Sequence, residues 1–165
     1  MPYSHRLAQI ADLPAIVAIY NSTVAGRMVT ADTEPVSVAS RQGWFDEHVP
    51  QRRPLWVVEE GGRIIGWLSY SNFYGRPAYA GTAELSIYLH ESARGKGLGS
   101  YLLTEAITFA PELGVHTLLG FIFGHNTPSL KLFAHFGFAE WANMPRVATL
   151  DEIERDLLIL GKRIS

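Results

Sequence analysis

The stretch RGKGLGS, residues 94–100, alternates three glycines with Arg94 and Lys96 and lies between a predicted strand and a predicted helix. Glycine has no Cβ, so the backbone can approach a ligand closely there. The first turn of a helix presents unpaired N–H groups and the positive end of the helix dipole. The stretch therefore predicts a strand-to-helix turn that binds an anion such as a pyrophosphate.

Two familiar phosphate loops do not fit this spacing. A Walker A loop has Ser or Thr directly after its Gly-Lys pair, whereas Lys96 is followed by Gly97. A Rossmann fingerprint has its third glycine three residues after the second, and that position holds Ser100. A tight turn without any ligand remains the alternative interpretation of the three glycines.

The segments on either side of the turn predict a mixed α/β domain. Hydrophobic periodicity and turn residues predict helices over 12–24, 37–48, 98–110 and 127–137, and strands over 5–10, 55–59, 63–70, 84–90, 115–123, 138–141 and 157–160. Asp12 is expected to cap the first helix, with Pro14 in its first turn. Gly61 and Gly62 predict a hairpin turn. Early hairpin strands favour one mixed, largely antiparallel sheet with helices on both faces.

Composition excludes several classes of function. The 165 residues predict a single domain, 1–165, and the net charge of −2 argues against nonspecific nucleic-acid binding. The chain has no cysteine, which rules out disulfides and cysteine-ligated metals, and its six histidines lack metal-site spacing, so we expect no metal. No signal peptide or membrane-spanning stretch is evident, and we expect a cytoplasmic protein.

The pattern Arg94-x-x-Gly97-x-Gly99 resembles the acetyl-CoA pyrophosphate motif of the Gcn5-related N-acetyltransferases. A strand over 84–89 before it, and Asn126 and Gly137 after it, occur in that family's order. The resemblance implies the family's fold, in which two central strands splay apart and acetyl-CoA lies in the gap. It also implies the residues that bind this co-substrate: Ile87, Tyr88, Leu89, Arg94, Gly95, Lys96, Gly97, Leu98, Gly99, Ser100, Asn126 and Ser129.

A narrower resemblance covers nearly the whole chain. The segments 12–21, 76–79, 82–84, 126–129 and 144–145 are similar to the phosphinothricin and methionine sulfoximine (methionine sulfone) acetyltransferases, and 122–126 with 155–161 to a small bacterial subgroup. This resemblance implies a homodimer and a small amino-acid-like amine as acceptor. It places Phe73, Arg76 and Tyr79 against the acceptor, where arginine suits a carboxylate or phosphinate.

Glu84 is the expected general base, since it matches the family's proposed catalytic glutamate and burial there would raise its pKa. A strand carboxylate that faces solvent or forms an ion pair is the alternative. Asn126 has a second interpretation as a helix N-cap, and Ser129 as an ordinary residue of the first helical turn. The absence of cysteine makes an acyl-cysteine intermediate impossible, so direct transfer in a ternary complex is expected.

The sequence departs from the family pattern at several positions. Phe133 replaces the tyrosine or histidine that could serve as a general acid, and phenylalanine has no proton to donate. His125 and His135 are alternatives to it, although packing or surface roles suit both better. Ala148 and Glu154 stand where better-known members carry Gly and Trp beside the acceptor.

These departures leave other functions open. The acceptor could be a different amine, such as a polyamine, an aminoglycoside or a protein N-terminus. A second alternative is an acetyl-CoA sensor without catalysis, which the phenylalanine at position 133 motivates.

Overall fold

The computed structural model describes residues 3–164, and Met1, Pro2 and Ser165 lie outside it, so the predicted domain over 1–165 extends slightly beyond the described chain. The described residues form one seven-stranded sheet in the order β1-β2-β3-β4-β5-β7-β6. Its strands are β1 (His5–Leu7), β2 (Leu55–Glu60), β3 (Arg63–Asn72), β4 (Thr82–Leu89), β5 (Thr117–Phe123), β6 (Ala139–Leu150) and β7 (Ile153–Arg163). The helices are α1 (Leu13–Ser22), α2 (Gln42–Asp46), α3 (Leu98–Phe109) and α4 (Thr127–His135).

The predicted fold class is confirmed by the strand directions. Within the described residues one neighbouring pair, β4 and β5, is parallel, and every other pair is antiparallel. Gly61 and Gly62 connect β2 to β3 with φ of +62° and +77°, the left-handed conformation that a primed hairpin turn requires. The sheet is therefore mixed and largely antiparallel, as the early hairpin indicated.

The parallel pair splays apart after three residues. Its Cα partners are Thr82 with Thr117, Ala83 with Leu118 and Glu84 with Leu119. Beyond Glu84, β4 runs on to Leu89 with no registered partner on β5. The backbone N–H and C=O groups on this edge of β4 therefore face a gap and need other hydrogen-bond partners.

Each face of the sheet carries its own hydrophobic core, so the helices lie on both faces. On one face α3 and α4 pack against β3, β4 and β5, with Leu68, Tyr70, Leu85, Leu98, Leu102, Leu103, Ala106 and Phe133 buried. On the other face α1 packs against β2 and β3, with Ile16, Ile19, Leu55, Val57 and Trp67 buried. Among residues 3–164, no helix is long and apolar enough to cross a membrane.

The N-terminal elements differ from the sequence prediction because the Asp12 carboxylate does not cap α1. It accepts the Gln9 backbone N–H at 2.7 Å and two guanidinium N–H groups of Arg6 at 2.7 and 3.0 Å. These contacts hold a 3-10 turn over Ile10–Asp12. As a result β1 ends at Leu7 instead of reaching Ile10.

The predicted second helix over 37–48 was too long. The structure has a 3-10 turn over Ala39–Arg41 followed by the five-residue α2. Arg41, at the junction, leaves the helical region with φ −102° and ψ 0°. Gly43 inside α2 also weakens helix formation, by about 1 kcal/mol relative to alanine.

The closing strands, in contrast, were predicted too short. β6 has 12 residues and β7 has 11, and they form a long hairpin. β6 lies at one edge of the sheet, and most of its residues are exposed. Its sequence therefore lacks the alternation of apolar and polar residues from which strands are predicted.

Tyr70 links the sheet to α3, and its loss is expected to destabilise the fold. Its buried hydroxyl donates a 2.6 Å hydrogen bond to the Ala106 carbonyl. Tyr70→Phe leaves that carbonyl without this donor and should lower the free energy of unfolding by about 1–3 kcal/mol, measured in urea. Tyr74→Phe is the matched control, because Tyr74 is 77% exposed and its variant should stay within about 0.5 kcal/mol of the parent. Equal stability of the two variants would contradict this role.

Candidate active site

A groove of about 500 Å³ follows the unpaired edge of β4. It runs between the splayed strands and past the N-termini of α3 and α4. Its lining includes most of the predicted cofactor residues, namely Ile87, Tyr88, Leu89, Arg94, Gly95, Gly97, Gly99, Ser100, Asn126 and Ser129. Thr23, Met28, Val29, Phe121, Ile122, Pro128 and Leu132 also line it and were not predicted. Most of these side chains are apolar and resemble ordinary core residues in sequence, so no local signal marked them.

The three glycines of the turn have different structural tasks. Gly95 and Gly97 have φ of +72° and +85°, and a Cβ at either position would meet no heavy atom within 4 Å. They keep the backbone open towards the groove. Gly99 instead lies in α3, where a Cβ would come within 3.1 Å of Leu132 on α4. Gly97 is the N-cap of α3, so the N–H groups of the first helical turn, which have no partner within the helix, lie directly after it.

Two predicted cofactor residues lie away from the groove lining. The side chain of Leu98 is fully buried in the core. Lys96 is exposed, and its carbonyl accepts a hydrogen bond from the Tyr3 hydroxyl at 3.2 Å. At both positions it is therefore the backbone, and not the side chain, that belongs to the turn beside the groove. The side chain of Lys96 is exposed to solvent.

The position of Asn126 is compatible with both interpretations that the sequence left open. It is the N-cap of α4, where its Oδ1 accepts the Ser129 backbone N–H at 3.3 Å. It is also 5% exposed and lines the groove. The cap fixes the amide, and the fixed amide lies at the groove wall.

Glu84 lies in a second, smaller pocket of about 210 Å³, which we call the Glu84 pocket. Alternate residues of β3 and β4 form its floor because successive side chains of a strand point to opposite faces. These floor residues are Trp67, Ser69, Ser71, Glu84, Ser86 and Tyr88. Ser86 and Tyr88 also line the groove, so the two compartments meet beside them.

The position of Glu84 suits proton transfer. It belongs to the last registered pair before the splay, opposite Leu119. Burial raises the pKa of its carboxyl above the ordinary value. The solvent-facing alternative is therefore not what the structure has: Glu84 is half-buried and lines a pocket.

Arg41 supplies a positive charge to this pocket and was not singled out from the sequence. Its Nη2 donates to Asp32 Oδ2 at 3.0 Å, and its Cζ lies 4.8 Å from the centre of the Tyr20 ring. The Tyr20 hydroxyl also donates to Asp32. These contacts hold the guanidinium in place at the wall opposite the strands.

The loop residues predicted to bind the acceptor do not line the pocket in this chain. Phe73, Tyr74 and Tyr79 pack their rings together, with centroids 4.4–6.1 Å apart. Arg76 is exposed at the start of the short turn that contains Tyr79. The structure brings Glu84 together with Arg41 and leaves Phe73, Arg76 and Tyr79 on the loop surface.

The positions that depart from the family pattern, and the two histidines considered as alternative acids, also lie outside the Glu84 pocket. Phe133 is buried, lines the groove and packs against Phe138. His125 Nε2 lies 2.8 Å from the Arg27 carbonyl, and His135 is exposed. Ala148 and Glu154 lie in the outer part of the β6–β7 hairpin. Among residues 3–164 no group of three or more His, Asp or Glu side chains could hold a metal.

Comparison with known proteins connects this geometry to a family. Residues 15–138 match the model described as "Acetyltransferase (GNAT) family". The chain is 58% identical over 161 residues (97% of the chain, 98% of the relative) to a Bacillus subtilis (strain 168) protein provisionally named phosphinothricin acetyltransferase YwnH. It is 37% identical over 148 residues (89% and 86%) to the L-methionine sulfoximine/L-methionine sulfone acetyltransferase of Pseudomonas aeruginosa.

A solved structure gives the same result for the fold. The GNAT superfamily phosphinothricin acetyltransferase of Sinorhizobium meliloti, in complex with acetyl-CoA, superposes with a TM-score of 0.92 at 30% identity. The match covers 99% of this chain and 89% of the other.

The open turn predicts that a side chain at Gly97 will weaken acetyl-CoA binding. Gly97→Val should raise the Kd for acetyl-CoA about tenfold, the loss expected for one charge-assisted hydrogen bond, measured by titration calorimetry. Gly62→Val is the matched control, because Gly62 has a similar φ of +77° and open space but lies in the β2–β3 hairpin. Both variants should lose about 1–3 kcal/mol of stability through backbone strain. An unchanged Kd in Gly97→Val would show that the turn does not hold the ligand.

Proposed function

The chain belongs to the GNAT acetyltransferase family and is an N-acetyltransferase, and from this premise we propose that it acetylates the amine of a small amino-acid-like acceptor. The observation that carries the proposal is Glu84 at the floor of a small pocket that opens beside the groove. Relatives named for phosphinothricin and for methionine sulfoximine or methionine sulfone support the same class of acceptor.

The groove fits acetyl-CoA by shape and by chemistry. The turn has open space at Gly95 and Gly97 and leads into the N-terminus of α3, which suits phosphates, and β4 offers unpaired backbone groups beyond Glu84 for an extended amide chain. We therefore assign Ile87, Tyr88 and Leu89 to the pantetheine, and Arg94–Ser100 to the pyrophosphate. Bound acetyl-CoA supplies the acetyl group as a thioester.

Glu84 is the general base of the proposed reaction. Its carboxylate accepts a proton from the acceptor ammonium, directly or through one water, and so creates the nucleophilic amine. The burial that raises its pKa makes it a better base than an exposed glutamate. No cysteine exists to form an acyl-enzyme, so direct transfer in a ternary complex follows.

The pocket favours a small acceptor that carries an anionic group. Its volume of about 210 Å³ is below the roughly 300–1,000 Å³ of pockets for drug-sized ligands. Arg41 lines it, and among the described residues only Asp32 receives a hydrogen bond from its guanidinium. The free donors match a carboxylate or phosphinate. Arg76 and Tyr79, which the resemblance assigns to this task, remain a second candidate for it.

Further expectations concern the whole protein. We infer that residues 1–165 form one acetyltransferase domain, since the family match extends over residues 15–138 and the single sheet continues through β7. We also infer a homodimer. The β6–β7 hairpin exposes Trp141, Met144, Val147 and Ile153 by 42–54%, and an apolar edge of this kind is suited to burial between two copies. The cytoplasmic location that the sequence led us to expect stays a proposal.

Glu84→Gln keeps the size of the side chain but cannot accept a proton. It should lower kcat by about 10²–10⁴-fold, the usual contribution of a positioned base, and leave the Kd for acetyl-CoA unchanged. In the parent, kcat/KM should rise with pH through the raised pKa of Glu84 and again as the acceptor amine deprotonates. The variant should lose the first of these two steps. Unchanged kcat would remove Glu84 from the chemistry, whereas acetyl-CoA binding without any turnover in the parent would favour an acetyl-CoA sensor.

The acceptor is tested by release of coenzyme A, detected with a thiol reagent in a protein that has no cysteine background. We expect turnover with methionine sulfone, methionine sulfoximine or phosphinothricin and little with polyamines or aminoglycosides. Arg41→Gln should raise KM about 10- to 100-fold for methionine sulfone but not for its carboxamide, because only the carboxylate gains a charge-assisted bond. Arg76→Gln is the paired variant. A larger increase of KM in Arg76→Gln than in Arg41→Gln would assign the binding of the acceptor carboxylate to the loop that contains Arg76.

A further inference from the structure

Acetylation of a protonated amine must release a proton from the pocket. The balanced reaction is R–NH₃⁺ plus acetyl-CoA giving R–NH–CO–CH₃, CoA–SH and H⁺. One of the two protons that leave the nitrogen ends on the thiol, and the other must reach solvent in every turnover. This inference rests on the proposed function, in which Glu84 first accepts that proton.

Ser71 is the neighbour of Glu84 that can pass a proton on. The two residues are Cα partners across the β3–β4 pair and both line the Glu84 pocket. Directly opposite residues on one face of an antiparallel pair have Cβ atoms about 4.5–5.5 Å apart. A hydroxyl can accept one hydrogen bond while it donates another, so Ser71 can receive a proton on one side and release one on the other.

His48 lies behind Ser71, with its Nε2 3.5 Å from the Ser71 Oγ. Its Nδ1 lies 2.7 Å from the Trp44 carbonyl, which can only accept. In the neutral ring Nδ1 therefore carries the hydrogen, and Nε2 presents a lone pair towards Ser71. The ring is half-buried and packs against Trp44, with centroids 4.7 Å apart.

The surroundings of His48 suit a group that takes up a proton briefly. Burial lowers its pKa, while the Trp44 and Tyr70 carbonyls and the Glu47 carboxylate oppose that effect. The charged groups that face it are Glu47, next to it in the chain, and Glu84 across Ser71. A ring that burial biases towards its neutral form, yet has acceptors ready for its protonated form, can release the proton again to solvent.

We propose that Ser71 and His48 form a proton exit from the Glu84 pocket, in which His48 acts through Ser71 as a positioning and relay residue. The protonated Glu84 carboxyl donates to Ser71 Oγ, while the Ser71 hydroxyl proton moves to His48 Nε2. The resulting imidazolium then loses a proton to water, and Glu84 is again a carboxylate. Each O–H or N–H bond formed is matched by one broken, and one proton leaves per turnover.

The first test separates the relay from a structural role. His48→Asn keeps a donor for the Trp44 carbonyl but cannot titrate, and Ser71→Ala interrupts the route without touching that contact. Each should lower kcat about 10²-fold at unchanged KM, the lower range for transfer by a positioned group. Ser71→Thr, which retains the hydroxyl, should keep most of the activity. His135→Gln is the control, since His135 is exposed and outside both compartments.

The second test asks whether added buffer replaces His48. At constant pH, the rate of His48→Asn should increase with imidazole concentration, whereas the parent and Glu84→Gln should not respond. A full kcat in His48→Asn, or a reduced kcat that imidazole does not raise, would overturn the proposal and leave the proton to escape through the pocket mouth.

The third test does not depend on activity. Nitrogen NMR of the ring should show the neutral Nδ1-protonated form of His48 with a pKa lowered from the ordinary histidine value by burial, and Ser71→Ala should shift the Nε2 signal. An Nε2-protonated ring would overturn the proposal. Failure of every acceptor in the coenzyme A assay would instead count against the proposed function. The two failures can be told apart because the NMR measurement on His48 does not depend on turnover.

Discussion

The parting of β4 from β5 after Glu84 is the constraint on which the rest of the molecule depends. A parallel pair normally satisfies its backbone groups along its whole length, and here that satisfaction stops after three partners. Since unpaired groups inside a protein are costly, the gap is tolerable only where water or a ligand can enter. The helices on both faces compensate by burying large apolar side chains right up to the opening. The fold thus keeps β4 and β5 apart where the groove runs between them.

The same parting determines what Glu84 can do. At the last paired position its backbone is fixed by the sheet while its side chain faces a pocket instead of a packed core. The pairing fixes the position of Glu84, as a general base requires, and its partial burial raises the pKa of its carboxyl. A glutamate two residues later in β4 would share the face but not the rigid pairing with β5.

Most of the architecture could be predicted from the sequence, and so could most of the β4 and turn residues that line the groove. The glycine turn, the hairpin at Gly61 and the strand of Glu84 have local signals, and those signals gave correct elements. Features set by long-range contacts had no such signal. Arg6 diverts Asp12 from its capping role, and Arg41 reaches the pocket only because a break in the helix and Asp32 direct it there. The edge strand β6 was predicted too short because an exposed edge needs no hydrophobic alternation. The roles of the individual site residues stay predictions.

Tyr88 lines the groove and also the Glu84 pocket, and its ring stacks on Trp67 at 4.6 Å between centroids. A residue shared between two compartments makes their occupancies interdependent. Any shift that a ligand in the groove imposes on β4 also changes the wall of the Glu84 pocket. Thermodynamic linkage makes this effect reciprocal: the factor by which one ligand strengthens the binding of the other is the same in both directions. The strength with which each of the two substrates favours the binding of the other can therefore be set by the Trp67–Tyr88 stack.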